Sequence, residues 1–194
     1  MNKSQLDAST YGLGELITQR KLFSVPDHQR SYSWGVEQVD QLLSDVRYAF
    51  EKNSPEYFVG LIVLQGPVDG AWQILDGQQR LATSTMIYSA IREWLQARNF
   101  GDDARQIETE FIGVRQLGGT FTPRLSLNTN NRDIFEQYVN TSSPLSDLRA
   151  AAKTHHKHGS GRRILEAAIH TRMWIEKFCN ESAADKNDQA RILF

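Results

Sequence analysis

A five-residue segment, Asp-Gly-Gln-Gln-Arg at positions 76–80, combines residue types that can bind phosphate. It stands between a strand-like run and a helical pattern, where the first-turn N–H groups and the helix dipole favour an anion. A cation such as Arg80 in the first turn is unfavourable next to the positive end of the dipole. It becomes favourable when an external phosphate or carboxylate lies between the helix end and the guanidinium, which binds such groups bidentately. Gln78 or Gln79 could orient a water against a phosphoryl group. Asp76 could bind a divalent metal that bridges phosphates, or cap the helix.

The same segment also fits a purely structural interpretation. Asp76 would then be a plain helix cap, Gly77 a turn residue, and the remaining side chains solvated. Composition alone leaves both interpretations open. No Gly-x-x-x-x-Gly-Lys-Ser/Thr sequence occurs, which excludes an ordinary P-loop, and no Gly-x-Ser-x-Gly elbow supports a serine hydrolase.

A second Gln-Arg pair, Gln29 and Arg30, precedes two aromatic residues. In an extended segment Arg30, Tyr32 and Trp34 would project to one side. A cation and two aromatic rings on one face would form a platform for a phosphate and a stacked base, and thus a DNA contact. Alternatively, Tyr32 and Trp34 fasten the next helix to the core while Arg30 pairs with a carboxylate.

Hydrophobic periodicity predicts the elements that must position these motifs. The predicted helices cover residues 36–50, 81–96, 133–139 and 162–178. The predicted strands cover residues 21–26 (an edge strand or extended arm), 57–64 (central and buried), 72–75 and 123–128. Turn chemistry at 66–70 makes a hairpin, and residues 140–161 are expected to form a surface loop with a helical turn. This order predicts an α+β fold with a small sheet and flanking helices, followed by a mostly helical part.

The most basic stretch of the chain follows this region. Its basic residues and histidines are Lys153, His155, His156, Lys157, His158, Arg162 and Arg163. A metal site there is disfavoured, because a polar loop supplies neither fixed geometry nor supporting hydrogen bonds. A local contact with the DNA backbone through Lys157, Arg162 and Arg163 is a fair hypothesis.

Bulk composition limits the remaining possibilities. The 194 residues carry a formal net charge of −1, whereas a protein that holds nucleic acid by global attraction is usually basic. Any DNA contact must therefore come from a local patch or from another domain. The single cysteine, Cys179, rules out an internal disulfide. Neither a signal peptide nor an apolar run long enough to span a membrane is present, so we expect a cytoplasmic protein without membrane contact. The apolar ending at 191–194 suggests a cut inside a longer protein.

Several motifs, in order along residues 20–140, resemble the N-terminal domain of GmrSD-type restriction endonucleases. The motifs are Phe-Ser-Val-Pro at 23–26, Gln-Arg-Ser-Tyr-Ser-Trp at 29–34, Leu-Leu-Ser-Asp at 42–45, the apolar run at 57–64, the segment 74–83, Pro-Arg-Leu-Ser-Leu-Asn at 123–128 and Asp-Ile-Phe at 133–135. Either Gln-Arg motif alone would be weak, and the two together are a strong signal.

The resemblance implies a ParB- and sulfiredoxin-like core that binds and hydrolyses an NTP with Mg²⁺, without a permanent cofactor. It also implies a role in restricting foreign or modified DNA, with NTP turnover gating a C-terminal nuclease domain of the same protein. GTP is one candidate nucleotide, and the oligomeric state stays open. Two alternatives remain: a non-catalytic module that recognises modified DNA, such as phosphorothioate DNA, and a domain that itself nicks DNA.

Carried over residue by residue, the resemblance makes residues 76–80 the nucleotide site, with Gln29 and Arg30 beside it and Tyr32 on the same surface. In relatives that sense phosphorothioate DNA, the first motif is implicated in reading the modification. Two positions depart from the family pattern: His28 replaces a usual tyrosine, and alanine follows Leu81 where threonine is usual, which leaves Thr83 as the candidate hydroxyl ligand. We expect a nucleotide-handling domain over 1–140 and a helical extension over 141–194.

Overall fold

A computed structural model describes residues 9, 11–19, 21–52, 60–115 and 118–181. The helices of these parts are α1 (Leu13–Thr18), α2 (Val36–Glu51), α3 (Gln78–Gln96), α4 (Gly101–Ile107), α5 (Thr129–Phe135), α6 (Leu145–Thr154) and α7 (Ser160–Glu181). The strands are β1 (Phe23–Ser24), β2 (Val63–Val68), β3 (Ala71–Asp76), β4 (Gly113–Arg115), β5 (Phe121–Pro123) and β6 (Leu125–Ser126). Helices α4 and α5 continue into π-helical turns at Glu108–Ile112 and Glu136–Asn140.

A mixed sheet with the strand order β2-β3-β1-β6 lies beside the helices. β2 and β3 pair antiparallel as the expected hairpin, whereas β1 runs parallel to both β3 and β6. The expectation of an edge strand or arm at 21–26 is wrong, because β1 lies between two partners and Phe23 is 2% exposed. Pro26 follows the strand, so its missing N–H removes no ladder hydrogen bond.

The hairpin is shifted along the chain relative to its prediction. The described sheet has β2 at its edge, and Leu61 just before it is 64% exposed, so a central buried strand at 57–64 is wrong for the residues from 60 onward. Residues 57–59 lie outside the described parts. The turn was predicted at 66–70, but residues 66–68 still belong to β2. Only Asp69 and Gly70 form the turn, and both adopt the positive φ that a tight hairpin turn requires.

The long helices confirm their predictions, and they enclose the core. α3 begins at Gln78, three residues earlier than its apolar pattern indicates, and packs against α4 and α7. α7 also contacts α2 and α6. The apolar residues of these helices and of the sheet form one buried cluster, which includes Ile74, Leu81 and Leu165. The predicted α+β class, with its small sheet and helical later part, is confirmed.

One element was missed within residues 140–161. The ten-residue helix α6 replaces nearly half of the expected loop and is longer than the single helical turn predicted there. It buries Leu148, Ala151 and Ala152 against the core. Alanine favours helices, but its small side chain produces a weak apolar stripe in a sequence. The division of the chain at residue 140 and the likeness to ParB and sulfiredoxin stay predictions.

Candidate functional site

The site begins at the junction between β3 and α3, where a single residue connects strand and helix. Gly77 is the N-cap of α3 and has a left-handed φ of 90°. A Cβ atom at this position would lie 2.9 Å from Cγ1 of Ile62. Both the conformation and the close approach of the neighbouring backbone therefore require glycine.

Asp76 does not cap α3. Its Oδ1 accepts a hydrogen bond of 2.8 Å from the N–H of Gly77, one residue before the first turn, and the residue is exposed. No side chain in the described parts of the chain caps α3, and its first turn holds no acidic residue. The first N–H groups of an α-helix have no intrahelical acceptor. This helix end can therefore still receive an anion.

The two Gln-Arg motifs meet in one cleft of about 250 Å³. It is lined by Gln29, Arg30, Trp34 and residues 75–80. Two side chains join the motifs directly: Nε2 of Gln29 donates to the carbonyl of Leu75 (3.2 Å), and Nε2 of Gln78 donates to the carbonyl of Arg30 (2.8 Å). Segments about 46 to 48 residues apart in the chain thus share a surface.

Arg80 projects into this cleft without a carboxylate partner among the described residues. Its Nη1 donates to the carbonyl of Leu61 at 3.0 Å. A guanidinium carries five N–H donors, so this contact orients the group and leaves donors for a ligand.

Arg30 brings a second positive charge to the cleft. The residue is exposed, and its side chain forms no ion pair within the described ranges. Its backbone is held in place by Gln78, as described above. Two guanidinium groups and an uncapped helix N-terminus therefore surround one cleft, an arrangement that favours a phosphate-bearing ligand.

Gln79 holds the backbone of residues 31–34 in place, and its carboxamide is therefore not free to bind a ligand. Its Oε1 accepts hydrogen bonds from the backbone N–H groups of Ser33 (2.8 Å) and Trp34 (3.3 Å). Its Nε2 donates to the carbonyl of Ser31 at 3.5 Å. The carboxamide is thus occupied by backbone groups, which argues against the water-orienting role considered for it.

Gln78, in contrast, has a carboxamide oxygen without a partner among the described residues. The Arg30 carbonyl can only accept, so it fixes the amide nitrogen of Gln78 and turns Oε1 away. That oxygen is buried and has no hydrogen-bond donor among the described residues, and the same holds for Oδ1 of Asn128. Both residues border a cavity of about 10 Å³, a volume that suits one water molecule. An unsatisfied buried acceptor calls for a donor, and water can supply it.

Two expected site residues belong to the core instead. Tyr32 is 4% exposed, and its hydroxyl lies 2.9 Å from Oγ1 of Thr83, which is itself fully buried. Burial raises the pKa of Tyr32 far above that of a solvated tyrosine, and the Thr83 contact offsets this in part. The expected surface platform therefore lacks Tyr32, and the Thr83 hydroxyl already bonds the Gln79 carbonyl. Trp34, in contrast, lines the cleft.

Asn128 and Asn131, at the start of α5, also belong to the candidate site, although neither was predicted as a site residue. Nδ2 of Asn128 donates to the carbonyl of Gln29 (2.9 Å), and Oδ1 of Asn131 accepts from the N–H of Tyr32 (2.8 Å). With Gln78 and Gln79, four carboxamides hold residues 29–34, and we call them the amide clamp. The Asn-x-x-Asn spacing at a helix start was a visible signal, but it also fits ordinary capping.

The basic stretch is partly engaged within the protein. Arg162 forms an ion pair with Glu166 (2.7 Å), and Nη1 of Arg163 donates to the carbonyl of Ser33 (2.7 Å). Lys157 is exposed. Within the described ranges, no group of three or more His, Cys, Asp or Glu residues could hold a metal ion. None of the described helices has the length and apolarity to cross a membrane.

Comparison with known proteins agrees with the motifs in this cleft. The family model described as GmrSD restriction endonuclease, N-terminal domain, matches residues 13–194, which include both Gln-Arg motifs and every element of the site. No curated protein matches the chain. On the strength of that match, the chain belongs to the family of GmrSD restriction endonuclease N-terminal domains.

Proposed function

We propose that this domain binds a nucleoside triphosphate with Mg²⁺ in the cleft and hydrolyses it, and that this turnover gates DNA cleavage by a nuclease domain. The family is one of restriction endonucleases, so its members serve DNA restriction. The single observation that carries the nucleotide proposal is the convergence of Arg30, Arg80 and the α3 N-terminus on one cleft. Each of the three favours phosphate oxygens.

Hydrolysis needs a water in line with the γ-phosphorus. Gln78 is the candidate to orient it, because Gln79 is occupied by backbone groups and Oε1 of Gln78 has no hydrogen-bond donor among the described residues. To bond this water, Oε1 would have to turn from the small cavity toward the cleft, which Gln78 also lines. The water oxygen bonds to phosphorus, the bond to the β–γ bridging oxygen breaks, and the proton of the water passes to a phosphate oxygen. A neutral amide can orient such a water without titrating.

Asp76 is suited to bind Mg²⁺ that enters the cleft as a complex with the triphosphate. Mg²⁺ is commonly held by one or two carboxylates together with phosphates and waters. Asp76 is exposed, lines the cleft and uses Oδ1 for the Gly77 N–H, which orients the carboxylate. When bound, the ion would neutralise charge that develops on the phosphates.

A second candidate function is recognition of modified DNA without catalysis. It is favoured by Arg30, which is exposed and without an ion-pair partner in the described parts, and therefore accessible to a DNA phosphate. Lys157 remains available for a backbone contact, whereas Arg162 and Arg163 would first have to leave their internal partners.

Phosphate release separates the two candidates. Purified protein is mixed with each NTP and Mg²⁺, with and without DNA, and Arg80→Ala is compared with Arg149→Ala. Arg149 is an exposed arginine on α6 whose described contact is the sulfur of Met173. We expect Arg80→Ala to reduce release by about 100-fold or more, the effect of removing one transition-state donor, and Arg149→Ala to leave it unchanged.

Absence of release by the wild type under all these conditions, with DNA binding intact, would favour the recognition module. Equal release by wild type and Arg80→Ala would reject the proposed phosphate site.

A further inference from the structure

Trp34 occupies the boundary between the cleft and the core. Its indole is partly buried and packs against the core cluster, and the residue also lines the cleft beside Arg30 and Arg80. The same residue thus packs against the core and borders the space where a ligand would bind. The two alternatives weighed for this residue, fastening and stacking, are therefore compatible.

The backbone around Trp34 is fixed on both sides. Its own N–H and that of Ser33 donate to Oε1 of Gln79, and the Ser33 carbonyl accepts from Arg163. Gly35, the next residue, is the N-cap of α2. A ring held in this way loses little conformational entropy when a ligand stacks on it.

Trp34 also differs from the other tryptophans of the chain. Each of the other three has an aromatic or cationic partner: Lys21 lies 4.9 Å from the Trp72 ring, Arg98 lies 4.0 Å from the Trp94 ring, and Phe178 stacks on Trp174 at 5.1 Å. Among the described residues, none makes such a contact with Trp34. A tryptophan that lines a cleft and has no ring or cation partner among the described residues is suited to stack on a ligand ring.

The cleft thus combines a ring with groups that bind phosphate. Leu75, which is 38% exposed, adds apolar surface to the same lining. An inorganic anion would use the arginines alone, whereas a nucleotide carries both a phosphate chain and a planar base. We propose that Trp34 is the platform on which the nucleotide base stacks, an inference that rests on the proposed nucleotide function and names the group that separates a nucleotide from a bare polyphosphate.

Two ligands separate the base from the phosphates: an NTP and inorganic tripolyphosphate, each with Mg²⁺. Their dissociation constants are measured calorimetrically for the wild type, Trp34→Ala and Trp34→Phe. Stacking on an aromatic side chain contributes about 1–3 kcal/mol, so Trp34→Ala is expected to weaken NTP binding about 5- to 150-fold. Tripolyphosphate binding should stay within about twofold, and Trp34→Phe should restore most of the NTP affinity, because phenylalanine keeps a π-face.

Tryptophan fluorescence, excited at the red edge of the indole band, gives an independent signal. The matched control is Trp72→Phe, because the Trp72 ring contacts Lys21 outside the cleft. NTP should quench the emission of this variant, in which Trp34 is intact, but not the emission of Trp34→Phe. Quenching that persists in Trp34→Phe would overturn the proposal. The same holds if Trp34→Ala weakens tripolyphosphate and NTP equally, or leaves NTP affinity unchanged. If the wild type binds tripolyphosphate but no NTP, the stacking proposal fails and the anion site stands. If it binds neither, the proposed function fails with it.

Discussion

Arg80 owes its direction to two backbone features that its own position in the sequence does not reveal. The Leu61 carbonyl accepts from Nη1, and Gly60, with a φ of 114°, leaves room for the guanidinium. A Cβ at Gly60 would lie 2.8 Å from both Cζ and Nε of Arg80. A glycine twenty residues before Arg80 therefore belongs to the candidate site, because it sets where the positive charge lies.

Gly60→Ala is expected to reduce phosphate release and NTP affinity at least 10-fold, since the methyl group displaces the guanidinium. Gly70→Ala is the matched control: Gly70 also has a positive φ (82°), but no atom lies within 4 Å of its Cβ position. Both variants should lose about 1 kcal/mol of stability from the strained backbone, measured by urea unfolding. A comparable loss of activity in both variants would show that strain, and not displacement of Arg80, is responsible.

At the scale of elements, the segment 29–34 is held without regular secondary structure. The amide clamp takes the place of a strand partner, because its carboxamides bond the backbone of this segment in turn. Two of the four side chains come from the first turn of α3 and two from the start of α5. The cleft is therefore shaped by the N-terminal turns of α3 and α5, whose side chains bond the loop at 29–34.

Gln79→Ala should loosen this loop. The N–H groups of Ser33 and Trp34 would lose their acceptor, and an unsatisfied partly buried group costs about 1–3 kcal/mol, so the free energy of unfolding should fall by about 2–4 kcal/mol. Hydrogen exchange should show lower protection of these two amides in particular. Gln41→Ala, which removes an exposed bond to Asp45 on α2, should change neither quantity. Unchanged protection of Ser33 and Trp34 in Gln79→Ala would argue against the clamp.

At the scale of the whole molecule, one buried cluster joins the sheet to the last described helix. α7 contributes Ile164, Leu165 and Cys179 to it, and these residues are fully buried. Burial raises the pKa of the Cys179 thiol from 9.0 to about 11, because a thiolate is poorly solvated in the core. The folded protein therefore favours the neutral thiol, while the unfolded chain ionises near pH 9.

It follows that the Cys179 contribution to stability is complete below pH 9 and is lost as the pH rises toward 11. Between pH 8 and pH 10 the wild type should lose about 1 kcal/mol more of its free energy of unfolding than Cys179→Ala does, in urea denaturation at each pH. Tyr88, with a pKa raised by burial from 10.0 to about 12, acts mainly above this interval and equally in both proteins. Identical pH dependence of the two proteins would contradict the assignment.

The amino-acid sequence by itself determined the features that depend on near neighbours in the chain. The periodicity of α2, α3 and α7, the β2–β3 hairpin and the position of residues 76–80 at a helix start all follow from spacing within about twenty residues. The proximity of the two Gln-Arg motifs followed from family resemblance rather than from any local pattern.

Tertiary structure alone decided which of the polar side chains keep an open hydrogen-bonding group. Gln78 and Gln79 are adjacent and chemically identical, yet one retains a free buried oxygen while the other is occupied by the backbone of Ser33 and Trp34. The partners that cause this difference lie 45 to 48 residues away in the chain, and those that place Tyr32 in the core lie 51 and 99 residues away. Hydrogen bonds of that range leave no period in a sequence, because they are formed only when packing brings the segments together.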